Sequence, residues 1–416
     1  MPSRSTRFIR CIPVLLVLAT GASSSVRAQG QVQAWGMGGA VTASARGLAA
    51  VQYNPANLAL SGGTDIGLAS AAAVVGNNSL SLDRYNEITG SYLDTADKDR
   101  LLADIPAGGF NLNADARVSL AGIRSGNFAF SVGARGHGRG NLDHDFFDLL
   151  LYGNSVDQTV DFSNTRGGGY AVGTATVSWG TALHRGERDL VAAGINLHYL
   201  HGLYELHIAK AGGTLDTRIS GLDGNAYVDA VSAEGGKGYG VDLGLAWQRG
   251  TWTLGMAAEN VTGSIAWDSG LQEDSYSVTA TQVTLLDGDL ETAVLDQHLT
   301  APADPYDTRL PRTLRAGLAR TSGPFTVAVD LAREDGYTAG QTASTSVAWG
   351  AEWRLVSWFT PRVGLRHDDA MGTGGSVGLA VGIGPWVIDA AAMTVGGLNP
   401  GSAQGFGAAA GTHLAF

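Results

Sequence analysis

The chain has 416 residues, 60 of them glycine, with 16% charged residues, one cysteine, a formal net charge of −11 and a pI near 5.2. So acidic a chain is ill suited to nucleic acid, and its single thiol, Cys11, excludes disulfide frameworks and cysteine-rich metal sites. Much glycine with little charge points away from an ordinary soluble enzyme and toward a large antiparallel sheet with tight turns and small side chains on its faces.

Residues 1–28 read as an export signal: Arg4, Arg7 and Arg10 precede a short apolar run at 12–19, and Val26-Arg27-Ala28 supplies small residues for cleavage. Removing it takes four arginines and no acid, moving the net charge from −11 to −15, and takes Cys11 as well. No later stretch reaches the roughly 18–20 apolar residues of a membrane-spanning helix. Residues 29–63 follow, with small residues at 36–40 and 43–50 that suit a confined space. Within them Asn54 is a good N-cap, Pro55 suits the first helical position because its missing N–H would be unpaired anyway, and Ser61-Gly62-Gly63 ends the short turn.

From residue 64 the pattern has period two. Val241, Leu243, Leu245 and Trp247 alternate with Asp242, Gly244, Ala246 and Gln248; Arg249-Gly250-Thr251 turns the chain; and Trp252, Leu254, Met256 and Ala258 repeat the apolar side, with Glu259 on the polar side. The predicted strands are 64–75, 113–124, 128–136, 169–184, 190–209, 237–249, 252–267, 308–320, 325–333, 342–355, 360–367, 375–384, 386–395 and 404–416. A soluble sandwich gives the same alternation. The connections discriminate: tight turns such as 125–127, 249–251 and 384–385 alternate strictly with long stretches at 76–112, 137–168, 210–236 and 268–307. An even strand count with short turns on one side and long loops on the other predicts an all-β fold, an antiparallel transmembrane barrel of about fourteen strands spanning 64–416.

Trp247, Trp252, Trp353, Trp358, Trp386, Phe128 and Phe325 fall within a few residues of the short turns, where an aromatic girdle meets a membrane interface. The expected location is the outer membrane of a diderm bacterium, with outer-membrane lipid as partner. The terminal Phe416 on an alternating strand resembles the signal read by the barrel-insertion machinery. With both chain ends on the periplasmic side, residues 29–63 are expected at the lower mouth or inside, as a plug.

The stretch WGMGGAVTASARGLAAVQYNPANLAL resembles the N-terminal hatch of the long-chain fatty acid outer-membrane transporter (FadL) superfamily, whose Asn-Pro-Ala is represented by Asn54, Pro55 and Ala56. The resemblance implies fourteen strands, an N-terminal plug and passive diffusion of hydrophobic compounds. The superfamily also includes PorV-like secretion barrels and TraF-related proteins, which implies an alternative: a non-conducting scaffold for a secretion or transfer assembly. Motif similarity covers about 30 residues. The acidic pair often found before Asn-Pro-Ala is replaced here by Ala45-Arg46-Gly47, and no fatty-acid-binding residue is matched individually.

Alternation places Asp242, Glu259, Asp330, Glu352 and Asp389 on the polar face with Arg315, Arg354, Arg362 and Arg366, which makes them expected lumen charges, either as structural pairs or as a selectivity ring. His198 and His201 lie three residues apart on a strand, hence on opposite faces, and Asp143-His144-Asp145 with Asp148 reads as a solvated acidic loop, so no metal site is expected. No nucleophile elbow, zinc-protease motif or phosphate loop occurs, so neither an enzyme nor a cofactor is expected. Phe146, Phe147, Leu149, Leu150, Leu151 and Tyr152 form an apolar run in a predicted outer loop. It reads either as a local helix packed on other loops, such as the helical-looking stretch 97–105, or as a landing groove for a hydrophobic small molecule.

Overall fold

A computed structural model describes residues 30–284, 294–336 and 343–416; the proposed export signal at 1–28 lies outside the described residues. The chain opens with helices α1 (Gly30–Gly36) and α2 (Leu48–Tyr53) and a 3₁₀ turn over Pro55–Leu60. Strand β1 (Thr64–Asn77) is followed by helices α3 (Leu82–Ile88) and α4 (Thr95–Asp104), then β2 (Phe110–Ser125), β3 (Phe128–Leu142) and helix α5 (His144–Tyr152). Next come β4 (Gln158–Asp161), β5 (Arg166–Arg185), β6 (Asp189–Arg218), β7 (Gly221–Glu234), β8 (Lys237–Arg249), β9 (Trp252–Glu259) and β10 (Ser264–Trp267). The remainder is β11 (Ser269–Val283), β12 (Val294–Pro302), β13 (Tyr306–Arg309), β14 (Thr313–Ser322), β15 (Phe325–Glu334), β16 (Ser344–Trp353), β17 (Phe359–Asp368), β18 (Gly372–Ile383), β19 (Trp386–Val395) and β20 (Gly405–Ala415).

Fourteen of these strands make a closed antiparallel wall, β1-β2-β3-β5-β6-β8-β9-β14-β15-β16-β17-β18-β19-β20, sealed where β20 pairs with β1 from Asp65↔Ala415 to Gly76↔Gly405. Closure leaves the wall without an edge, so its ladder groups pair where no water is available. Its outer face is apolar: Leu245, Met256, Ala316, Leu331 and Val347 stand opposite one another on successive strands, and the four large ones are about half exposed. A continuous apolar surface of this kind requires hydrocarbon to cover it. The seven aromatics predicted for the girdle are all 42–61% exposed near the short turns, and Phe325↔Trp353 are direct ladder partners.

Three expectations change. The predicted strand 252–267 is broken between β9 and β10, where Asn260 takes a positive φ of 55° and donates through Nδ2 to the Pro311 carbonyl (2.9 Å). The predicted loops 210–236 and 268–307 contain strands: the far half of β6 pairs with β4 and β7, β7 with β11, and β11 with β12, a sheet projecting beyond the wall. These strands mix polar and apolar residues on both faces, so they lack the one-sided alternation that marks the wall. The alternation of short and long connections is also not strict. At the long-loop end β17 and β18 are joined by residues 369–371 alone, held by Ala370 N–H donating to Asp368 (3.0 Å) and by Gly372 at φ 74°.

Candidate functional site

The lumen begins with the N-terminal residues. Residues 31–60 lie inside the wall: α1 packs on β17 to β20 and β1, and the 3₁₀ turn on β5, β6 and β8. The small-residue stretches predicted for confinement are almost wholly buried, Met37, Ala40, Val41, Ala43, Ala45, Ala49 and Ala50 among them. An irregular backbone in such a place must bond its free N–H and C=O groups. Asp330 accepts from the N–H groups of Val41 (2.9 Å) and Thr42 (2.7 Å). Asn54 caps the turn by accepting from Ala56 N–H (3.1 Å), while its Nδ2 donates to the carbonyls of Thr42 (3.3 Å) and Leu245 (3.0 Å). Asn196 donates to the Val51 carbonyl (2.7 Å) and Asn57 to that of Thr42 (3.0 Å). Asn54 therefore joins two parts of the inner segment to the wall at once.

Glycine makes this approach feasible. Gly180, Gly194 and Gly244 are ladder neighbours on β5, β6 and β8. A Cβ on Gly180 would sit 2.7 Å from the Pro55 carbonyl oxygen, and one on Gly194 or Gly244 would overlap Pro55 or Asn54 outright. Across the barrel the paired glycines Gly350 and Gly364 meet Met37 in the same way, a Cβ on Gly350 lying 2.5 Å from its carbonyl oxygen.

Of the predicted lumen charges, Asp242 accepts from Asn196 (2.9 Å) and from Asn260 N–H (2.8 Å), and pairs with His198 Nε2 (2.7 Å). Arg362, fully buried, bridges Glu352 (2.7 Å) and Asp389 (3.0 Å) near the short-turn end. Arg366 pairs with Asp368 (2.9 Å). Arg354 is corrected: it follows β16 at the short-turn rim, where its Nη2 donates to the Gly323 carbonyl (2.9 Å), because the strand ends at Trp353 and alternation no longer governs it.

Glu259 is the centre of the site, pairing with Arg135 (2.9 Å), Arg315 (3.7 Å) and Arg117 (3.8 Å). Arg135 on β3 reaches β9, past three intervening strands, and Arg139 on the same strand reaches Glu334 on β15 (3.6 Å), past five. These pairs cross the lumen. Sequence reasoning missed Arg117, Arg135, Arg139 and Glu334, although Asn113, Asp115, Arg117 and Ser119 do alternate with Leu112, Ala114, Ala116 and Val118. On β3 the outward partners are Gly136, Gly138 and Gly140, which removes the apolar half of the signal.

Two cavities flank the crossing pairs and share Arg117 and Arg135. One, of about 190 Å³, lies between Trp35 and Tyr53 of the inner segment and the wall; the other, of about 120 Å³, reaches His198 and Asp242. Beside them Tyr170, Val172, Leu200, Ile265, Trp267 and Leu310 fill the lumen with an apolar cluster.

The apolar run 146–152 forms α5, capped by Asp143 and packed on α4, with Phe147 against Phe110 (ring centroids 5.5 Å apart) and the Tyr152 hydroxyl donating to Asp99. None of its residues lines either lumen cavity. That hydrogen bond to Asp99 pushes the Tyr152 phenol up to about 12.

Residues 55–235 match a protein-family model described as a family of unknown function (DUF5723). No curated protein matches. Among solved structures the chain is similar to the Ralstonia pickettii toluene transporter TbuX, at 18% identity and a TM-score of 0.51 over 92% of this chain and 97% of that one. It is also similar to the P. putida toluene transporter TodX (12% identity, TM-score 0.50, 95% and 99% covered) and to a Pseudomonas aeruginosa FadL homologue (13%, 0.51, 95% and 99%). At such identities the likeness establishes a shared fold, a closed antiparallel barrel.

Proposed function

We propose that this chain is an outer-membrane barrel of a diderm bacterium that lets small hydrophobic solutes pass by diffusion, without energy input or covalent chemistry. The observation that carries this reading is the cavity of about 190 Å³ between the inner segment and the wall of a lipid-facing barrel. Residues 29–63 act as a plug, anchored through Asn54, Pro55 and Ala56, whose shift links the cavity to the short-turn side. The exposed side of α5, with Phe146 and Leu150, offers apolar solutes a first contact at the outer mouth. The similarity in fold to two toluene transporters supports a small apolar solute as the first probe.

The test is toluene uptake into liposomes carrying the full chain. Uptake above that of empty liposomes, reduced when Phe146 and Leu150 are both changed to Ser, is the expected result. Liposomes no more permeable than lipid alone would overturn the reading and leave a scaffold.

A further inference from the structure

The larger lumen cavity has two chemically different sides. One is apolar, formed by Trp35, Val74, Met371, Met393 and Val395; the other carries the guanidinium groups of Arg117, Arg135, Arg139 and Arg315. With Arg366, five arginines line the cavity against three carboxylates, Asp115, Glu334 and Asp368. Adding Glu259, which three of the arginines share, gives five positive against four negative charges, an excess of one in a chain whose overall charge is −11. The Nε atoms of Arg135, Arg139 and Arg315 are buried and have no hydrogen-bond partner in the protein. A buried donor of this kind is destabilising unless something accepts from it.

We infer that this cavity binds a small organic anion: a single apolar ring or short chain against Trp35 and Met393, with its carboxylate oxygens accepting from the arginine cluster. The inference rests on the transport reading and names its solute class. Guanidinium donors form a fork that matches two carboxylate oxygens, and a neutral hydrocarbon in the same place leaves them unsatisfied. Size agrees, since a dry cavity of about 150 Å³ holds benzene. The available 190 Å³ therefore takes a ring with a carboxylate but not a long acyl chain lying wholly inside.

Benzoate and toluene, alike in ring but one an anion and the other neutral, test this by calorimetry on the full chain in a non-ionic detergent, beside uptake of each into liposomes. Benzoate is expected to bind at least tenfold more tightly than toluene, and more weakly in 0.5 M salt. Arg135→Gln and Arg315→Gln should each weaken benzoate at least tenfold, with toluene unchanged. Glu259→Gln, which removes the competing carboxylate, should strengthen benzoate several-fold, an outcome that misfolding cannot produce and that decides the matter if the arginine variants fail to fold. Toluene binding as tightly as benzoate, or Glu259→Gln weakening benzoate, overturns the inference. Toluene entering liposomes without benzoate preference overturns it alone; neither probe entering overturns it together with the transport reading.

Discussion

At the short-turn end of the lumen, residues 36–58 lie against wall glycines and their backbone groups are bonded by Asn54, Asn57, Asn196 and Asp330. At the long-loop end the lumen is crossed instead by ion pairs, Arg135–Glu259 and Arg139–Glu334, with cavities beside them. The first closure is packing, which tolerates almost no displacement because contacts fall off within an ångström. The second is electrostatic, and an arriving polar or charged group can replace one partner of a pair. A solute entering from the long-loop side therefore meets exchangeable contacts first and a rigid seal second.

The largest effect is expected from filling the glycine contact. Gly194→Leu places side-chain atoms where Pro55 sits. Overpacking costs about 1–3 kcal/mol, which the inner segment can escape by leaving the wall. Ion conductance in planar bilayers should rise at least tenfold, and unchanged conductance would show that residues 36–58 are not the seal.

Asp330→Ala should open the seal less, because it removes an anchor without placing atoms where residues 36–58 sit. It strips the Val41 and Thr42 N–H groups of their acceptor, at about 1–3 kcal/mol for each buried donor left unpaired. Faster protease cleavage within residues 36–58, with the wall intact, is the readout.

Glu334→Gln should be milder still, because the Arg139 pair is long and about a fifth exposed, worth about 1 kcal/mol or less. Its effect belongs in selectivity: residual conductance should shift toward anions, seen as a moved reversal potential under a salt gradient. The smallest effect lies outside the membrane. Because the Tyr152 phenol is raised from 10.0 to about 12, its bond to Asp99 contributes fully below pH 10 and is lost as pH rises through about 12. Protection of α4 and α5 from proteolysis should fall in that window, and Tyr152→Phe should abolish the pH dependence.

The wall strands were legible because lipid demands large apolar residues on one face. The hairpin of β8 and β9 shows it, with Leu243, Leu245, Trp247, Trp252 and Met256 all outward. Where outward residues are glycine, as on β3, the same topology left Arg135 and Arg139 unnoticed. The cap on the 3₁₀ turn was also legible, since Asn54-Pro55 is a local signal. The second task of Asn54, donating to Leu245 far along the chain, was not.

Period-two alternation, turn chemistry and the aromatic positions are properties of neighbouring residues, so the chain's order alone settled the barrel, its handful of tight turns and which way Glu259 or Asp330 points. Closure settled the rest. Only bringing β2 and β3 across from β9 and β15 sets Arg117 and Arg135 on Glu259 and Arg139 on Glu334, and only the inward fold of residues 31–60 explains why Gly180, Gly194 and Gly244 must lack a side chain. Those contacts join residues more than a hundred positions apart, and no local pattern encodes a distance that exists only once the sheet has met itself.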